Sequence, residues 1–282
     1  MMFFLPHMRD YDILTMQGGC MVICVGDYDC RLQSHAIYCQ AGQTAECRGR
    51  IIEAERKTYM VTILKETPKD PITLMGERAG VCWGADIQDR EKNYKRGLEC
   101  ITSGHHRVME YVNVEMILDG YSARVIREWY THIGGAPTRL QASTRYINYK
   151  EFSYITPPAI TGNEEAEKIY KGVMDTIAKA CSQLEEDYKI PREDAAMLLP
   201  LGMTTRIVDK RNVRNLIEMS HQRLCTRAYW EYRQLMKDIM EALSGYSDEW
   251  QYLTEHYFVP KCEVAGYCTE KKSCGRKGKR QD

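Results

Sequence analysis

The chain has 282 residues, of which 44% are apolar and 28% charged, the proportions of an ordinary soluble globular protein. Its 39 basic and 39 acidic residues cancel, so no long-range field favours nucleic acid or an anionic membrane, and a phosphate ligand must be held by local clusters of cations. No apolar run approaches the roughly 18 residues that cross a bilayer, and the opening MMFFLPHM lacks the cationic start of a secretory signal, so we expect a cytoplasmic protein without nucleic-acid or membrane partners.

The first 59 residues show no clear periodicity. We interpret them as an N-terminal extension that is either poorly ordered or translated upstream sequence outside the native chain. The extension lacks the paired CxxC spacing of zinc sites, so a metal site there has little support. Its cysteines are Cys20, Cys24, Cys30, Cys39 and Cys47.

After the extension, predicted strands and helices alternate along the chain, which indicates a mixed α/β fold with a central β-sheet flanked by helices. We expect a single domain over residues 60–255 and a cysteine-containing basic tail over residues 256–282. The predicted strands span residues 60–64, 112–118 and 204–209, and the main predicted helices span residues 89–102, 121–130, 164–188, 211–224 and 227–243.

The longest predicted helix, over residues 164–188, has apolar residues at spacings of three and four, which predict one buried stripe. The stripe consists of Ile169, Val173, Ile177, Ala180 and Leu184.

The segment over residues 128–149, EWYTHIGGAPTRLQASTRYINY, places many anion-binding groups directly behind an amphipathic helix. Ser143 and Arg145 are two residues apart, so in an extended segment their side chains point the same way. A hydroxyl beside a guanidinium is a good pair for phosphate oxygens. The step Gly134-Gly135 allows the backbone either to approach a ligand closely or to turn where a side chain would clash.

The helix predicted over residues 211–224 carries two candidate site residues, Arg214 and Arg223. At about 100° per residue they lie half a turn apart, so one small ligand is not expected to bind both from the same helix copy. The arrangement suits two parts of a ligand or a site shared between subunits. The apolar side of this helix consists of Val213, Leu216, Ile217 and Leu224.

Four further blocks follow one another along the chain. They are SGHHRVME at 103–110, LPLGMTTR at 199–206, KRNVRNL at 210–216 and RLCTRAYWE at 223–231. Together with the segment at 128–149, they resemble the flavin-dependent thymidylate synthases, which methylate dUMP without a catalytic cysteine. The resemblance runs from about Met60 to about Trp250 and implies the fold of the thymidylate synthase-complementing type.

The chain departs from the family signature, in which Arg-His-Arg is followed after seven residues by Ser-x-Arg-Tyr. Here the triplet is Thr131-His132-Ile133, and nine residues separate it from the Ser-x-Arg-Tyr that begins at Ser143. We expect a divergent branch, in which Arg139 of the lengthened loop supplies one of the lost positive charges. Ala196 stands where the family has an arginine that helps to bind the nucleotide.

The resemblance implies a role for each matching residue and no metal ligands. FAD would be bound by His105, His132, Asn212 and Arg214, joined by Arg139 on the hypothesis above. The nucleotide dUMP would be bound by Ser143, Arg145 and the catalytic residue Arg223, with Glu128 where the family has Gln near the uracil and Gln141 where it has Glu. Methylenetetrahydrofolate would donate the one-carbon unit and NADPH would reduce the flavin, in active sites built at the interfaces of a homotetramer.

Two alternatives stay open. The altered loop and Ala196 also fit a related flavin enzyme that methylates or hydroxymethylates another pyrimidine nucleotide. The cysteine-rich ends and the basic tail fit, less well, a non-enzymatic protein that binds zinc or nucleic acid. The tail cysteines Cys262, Cys268 and Cys274, with His256 nearby, are interpreted either as metal ligands or as reduced thiols.

Overall fold

The computed structural model describes residues 59–280 and, before them, four short strands. The strands are β1 (Leu14–Gln17), β2 (Cys20–Ile23), β3 (Cys30–Gln33) and β4 (Ala36–Cys39). Strand β1 pairs with β2 and β3 with β4, both antiparallel. The interpretation of residues 1–59 as an extension, and the assessment of its cysteines, otherwise fall outside the described residues.

Residues 59–280 form a mixed α/β unit. Its strands are β5 (Met60–Ile63), β6 (Asn113–Ser122), β7 (Thr138–Gln141) and β8 (Thr204–Asn212). Its α-helices are α1 (Pro71–Cys82), α2 (Arg90–Thr102), α3 (Ala123–Trp129), α4 (Glu164–Glu186), α5 (Arg192–Ala195), α6 (Val213–Arg223), α7 (Trp230–Ser244), α8 (Asp248–His256) and α9 (Lys261–Ala265). Short 3-10 turns span His106–Tyr111 and Ala196–Leu198.

The sheet of this unit has the strand order β5-β6-β8-β7, with every neighbouring pair antiparallel. Register shifts between Asp119 and Tyr121, where Gly120 has φ +80°, a left-handed conformation that glycine adopts without strain. The main core packs helices α1, α3, α6, α7 and α8 against the sheet, with Trp129, Tyr232 and Trp250 among its largest fully buried side chains. The predicted central sheet flanked by helices is confirmed.

Two long strands lead directly into the helices that carry the candidate site. Ser122 ends β6 and caps α3, because its hydroxyl accepts a hydrogen bond from the Val125 N–H at 3.2 Å. Asn212 ends β8 and caps α6 by accepting from the Asn215 N–H at 2.9 Å. These caps place the start of each helix, so α3 begins two residues later than predicted and β6 and β8 run longer.

The predicted buried stripe of α4 is correct only in part, because Ile177, Ala180 and Leu184 are partly buried. Ile169 is 69% exposed and Val173 50% exposed, whereas Met174 and Cys181 are buried. The buried side is thus shifted around the helix towards Met174 and Cys181 and overlaps the predicted stripe only in part. The helix is held on that side by Tyr170, whose hydroxyl donates to the Ile155 carbonyl at 2.9 Å.

Helices α1 and α8 and strand β7 were not predicted from the sequence. None of the helices within the described residues has both the length and the apolar content of a membrane span.

Candidate active site

Three residues predicted from the sequence converge where α3 and α6 end. Arg223, the last residue of α6, donates from Nε to His132 Nε2 at 3.1 Å and from Nη1 to the Glu128 carboxylate at 3.4 Å. Glu128 lies in the last turn of α3, and His132 follows that helix by three residues. Distant parts of the chain therefore contribute to one cluster, which joins a cation, an imidazole and a carboxylate.

His132 is held neutral in this cluster. Burial, followed by the positive charges of the nearby Arg223 and Arg211 guanidinium groups, lowers the pKa of its imidazole to about 4. Because the Arg223 guanidinium donates to Nε2, that nitrogen acts as an acceptor. The imidazole can therefore orient Arg223 without adding a positive charge of its own.

The aromatic ring of Tyr232 packs against both Arg223 and His132. The Arg223 guanidinium carbon lies 4.3 Å from the centroid of the Tyr232 ring, and His132 meets the same ring edge-on at 6.0 Å. Tyr232 is fully buried, and burial raises the pKa of its hydroxyl. That hydroxyl has no hydrogen-bond partner within the described part of the chain.

A buried ion pair lies behind the aromatic ring. Asp209 and Arg211, neither of which exposes any side-chain surface, form two hydrogen bonds, at 2.6 and 2.8 Å. The Trp129 indole donates to Asp209 at 2.9 Å, and Arg211 stacks on the Trp129 ring at 4.1 Å. Asp209 thus neutralises the charge of Arg211. Among the described residues, Arg223 has one carboxylate within ion-pair distance, that of Glu128, and it lies farther away at 3.4 Å.

The step Gly134-Gly135 lies against the start of α6, so residues 132–135 run along this helix from its end to its beginning. A Cβ at Gly135, whose φ is +72°, would lie 2.0 Å from the Asn212 side-chain nitrogen. The glycine step therefore lets the loop approach the protein's own Asn212, which was predicted to bind FAD.

Two other predicted FAD-binding residues, His105 and Arg214, line a separate cavity of about 470 Å3. Arg78 and Arg107 line it as well, so the cavity is rich in cations. Arg214 also forms ion pairs with Glu110 at 2.6 Å and Glu218 at 3.1 Å. As predicted from the helical wheel, Arg214 and Arg223 contact different sets of residues.

A cavity of about 570 Å3 adjoins Glu128 and contains residues that sequence reasoning missed. Arg124 and Arg127 extend into its lining from α3, and Glu231 lines it from α7. Glu231 is buried, burial raises its pKa, and its carboxylate accepts from the Ser122 N–H at 2.7 Å. The spacing of three between the arginines places them on one helix face and was the available signal.

Arg145 lies in a turn that begins directly after Ser143, so the two residues are not part of an extended segment. The Ser143 hydroxyl accepts from the Arg145 N–H at 3.2 Å, which draws the two residues into a local loop. The Arg145 guanidinium pairs with Glu193 at 2.5 Å, with both side chains exposed. Neither residue forms a hydrogen bond or ion pair with Arg223 among the described residues.

The remaining predicted residues lie around this region. Arg139 donates to the Tyr130 carbonyl at 3.0 Å and stacks on its ring at 4.4 Å, directly before the altered signature triplet. Gln141 donates to the Thr205 hydroxyl at 3.4 Å. Both predicted residues lie on β7, next to β8.

Ala196, which stands where the family has an arginine, begins a 3-10 turn. Arg192, four residues earlier, donates from Nη1 to the Tyr146 carbonyl at 3.0 Å. A cation four residues before Ala196 therefore contacts the loop that carries Ser143 and Arg145.

The tail cysteines were left open as metal ligands. Cys225, Cys262, Cys268 and Cys274 line one cavity of about 530 Å3. No group of three or more His, Cys, Asp or Glu side chains within the described residues is arranged to hold a metal ion. His256 instead bonds to the Tyr252 carbonyl at 2.8 Å.

Comparisons with known proteins show which family the chain belongs to. The family model described as thymidylate synthase complementing protein (Thy1) matches residues 62–246. The flavin-dependent thymidylate synthase of Nitratidesulfovibrio vulgaris is 29% identical over 244 residues, which cover 78% of this chain and 96% of the relative. The corresponding enzyme of Clostridium tetani is 27% identical over 241 residues, which cover 77% and 93%.

Solved structures show the same fold. A crystal structure of the flavin dependent thymidylate synthase ThyX from Helicobacter pylori, complexed with FAD and dUMP, aligns with a TM-score of 0.56 at 19% identity. The alignment covers 70% of this chain and 98% of that one. Because the family model matches well over half of the sequence, the chain belongs to the thymidylate synthase complementing protein family.

Proposed function

We propose that the protein is a FAD-dependent thymidylate synthase that converts dUMP to dTMP, with methylenetetrahydrofolate as the one-carbon donor and NADPH as the reductant. The observation that carries the proposal is the contact of Arg223 with His132 and Glu128. These residues come from two distant blocks of the chain, and the family resemblance assigns both blocks to one active site. The names of the relatives and the ligands of the Helicobacter pylori structure support the same activity.

The cavity at His105 fits the chemistry of a flavin nucleotide. Arg78, Arg107 and Arg214 would bind the diphosphate of FAD, because guanidinium groups form paired hydrogen bonds with phosphate oxygens. Asn212, which caps α6 and lies against Gly135, would complete the cofactor site. When bound, FAD supplies the hydride, and NADPH restores its reduced form.

The nucleotide would be held by cations and hydroxyls that the chain supplies from several elements. Arg223 would stabilise negative charge that develops on a pyrimidine oxygen. Its partner His132 is neutral and therefore does not offset the positive charge of the Arg223 guanidinium. Ser143 and Arg145 would bind the phosphate once Arg145 exchanges its exposed partner Glu193 for the ligand.

The proposed active site is shared between subunits of a homotetramer. Arg214 and Arg223 lie on opposite sides of α6 and contact different sets of residues, so one subunit does not present both to one small ligand. A neighbouring copy would bring the flavin cavity of one subunit to the nucleotide cluster of another. We also propose a cytoplasmic location, as expected from the sequence.

Incubation of the purified full-length protein with dUMP, methylenetetrahydrofolate and NADPH tests this function. We expect a flavin absorption band in the purified protein and formation of dTMP, which Arg223→Gln abolishes. Lys171→Gln, which alters an exposed pair on α4, is the matched control and should retain activity. A colourless protein, or a flavoprotein that forms no dTMP, would contradict the proposal.

A second candidate is a flavin enzyme that modifies another pyrimidine nucleotide, and Glu128 is the observation that favours it. An ionised carboxylate only accepts hydrogen bonds, whereas the amide that the family has at this position also donates. Glu128 therefore suits cytosine, whose exocyclic amino group is a donor where uracil has a carbonyl acceptor. Modification of dCMP in preference to dUMP, reversed by Glu128→Gln, would support this candidate.

A further inference from the structure

Tyr232 lies in the candidate site, but no hydrogen bond between its hydroxyl and the described residues accounts for a tyrosine at this position. Its side chain is fully buried, yet its hydroxyl has no hydrogen-bond partner within the described part of the chain. A buried hydroxyl without a partner is unfavourable, and a phenylalanine would avoid this cost. The described contacts of Tyr232 are instead made by its ring.

The ring lies at the centre of the candidate cluster. Arg223 stacks on it at 4.3 Å, His132 meets it at 6.0 Å with a 71° interplanar angle, and Trp129 lies 6.1 Å away. Stacking on an aromatic face restrains the plane of a guanidinium group as well as its position. The bond from Arg223 Nε to His132 requires that this plane be held.

The two arginines next to these aromatic rings are held in different ways. Arg211 stacks on Trp129 and is also fixed by two hydrogen bonds to Asp209. Arg223 has only the contact with Glu128 at 3.4 Å among the carboxylates of the described residues. Stacking on the Tyr232 ring therefore contributes more to the orientation of Arg223 than stacking on the Trp129 ring contributes to that of Arg211.

We propose that Tyr232 is the positioning residue of the site, and that its ring fixes the plane of the Arg223 guanidinium and thereby sets the affinity for the nucleotide. The inference rests on the proposed role of Arg223 in binding dUMP. The ring, and not the hydroxyl, carries the effect, because the hydroxyl makes no contact that orients Arg223.

Titration calorimetry with dUMP on the flavin-loaded, full-length protein tests the inference. Tyr232→Phe keeps the ring and should leave the Kd within about 2-fold of wild type. Tyr232→Leu removes the ring and should raise the Kd about 3- to 30-fold, the range expected from the loss of a desolvated cation–π contact. An unchanged Kd in the leucine variant would overturn the inference.

A double-mutant cycle separates positioning from general damage. Once Arg223→Gln has removed the guanidinium, Tyr232→Leu should weaken dUMP binding no further. Leu243→Ala, a buried change on the same helix away from the site, controls for lost stability and should leave the Kd unchanged. A second loss of affinity of the same size in the double variant would show that the ring acts independently of the Arg223 guanidinium, which contradicts the inference.

A readout without nucleotide distinguishes this inference from the proposed function. Tyr232→Leu should raise the pKa of His132 towards its ordinary value, followed by NMR, because the imidazole loses both a buried neighbour and the adjacent charge of Arg223, while Tyr232→Phe leaves it unchanged. Wild-type protein that fails to bind dUMP would refute the proposed function. A His132 pKa that stays unchanged in both variants would refute the positioning role, even if wild type binds dUMP.

Discussion

Protonation of His132 should destabilise the folded protein, and the effect can be predicted from its surroundings. Arg223 donates to His132 Nε2, so a proton on that nitrogen would break the bond and place two positive charges together. Burial, followed by the charges of Arg223 and Arg211, lowers the pKa of His132 from 6.5 to about 4. The perturbation is therefore a fall in pH, and His132→Gln is the variant that removes the titrating group.

The sign of the pH dependence of stability follows from the number of protons that His132 binds in the folded and unfolded states. Above pH 6.5 His132 is neutral in both states, so it adds no pH dependence. Between pH 6.5 and about 4 the unfolded chain binds a proton that the folded protein excludes, so stability falls as pH falls through this window. At pH 5 the loss is about 2 kcal/mol from the pKa difference, and about 1 kcal/mol when the partial exposure of the imidazole is taken into account.

Urea unfolding of wild type and His132→Gln at pH 8 and at pH 5 measures this loss. The wild-type free energy of unfolding should decrease more than that of the variant by about 1–2 kcal/mol. His221, whose pKa burial also lowers, titrates in both proteins and cancels in the difference. Equal pH dependence in wild type and variant would refute the reasoning.

Three further predictions concern the surrounding residues. Asp209→Asn should reduce the free energy of unfolding by about 3–5 kcal/mol in urea, because it leaves the buried Arg211 without its partner. Gly135→Ala should reduce retention of FAD, measured by absorbance after gel filtration, because the added Cβ displaces Asn212. Arg145→Ala should weaken dUMP binding by roughly 1.5–3 kcal/mol in calorimetry if the guanidinium binds the phosphate.

Matched changes at partly exposed positions control these predictions. Asp119→Asn removes the ion pair with the exposed Arg206 and should cost less than about 1 kcal/mol. Lys150→Ala removes the neighbouring pair with Glu186 and should leave dUMP binding unchanged. A small loss in Asp209→Asn, full FAD in Gly135→Ala, or a wild-type Kd in Arg145→Ala would each contradict the corresponding assignment.

Local patterns predicted much of the fold because they reflect local physics. The apolar spacing that predicted α6 depends on neighbours within a few residues, and the helix is present in the structure. The stripe of α4 was correct only in part, for the opposite reason. Both sides of that helix are partly apolar, and contacts with distant residues such as Ile155 decided which side was buried.

The candidate site shows the same division. Block order and spacing in the sequence indicated the family and the residues His132 and Arg223. The contact between these two residues could not be predicted, because they are 91 residues apart in the chain. Tyr232 and the paired Asp209 and Arg211 were missed, because each resembles an ordinary core or surface residue until its partners are known.

The sequence by itself determined the fold class, most helix and strand positions and the family, since all of these depend on residue type and local spacing. Only the tertiary structure decided that α3 and α6 end together, that Arg223 rests on Tyr232 and His132, and that Ser143 and Arg145 form a turn. The physical reason is that burial, charge compensation and stacking act between atoms close in space, and the packing of helices on the sheet sets which atoms those are.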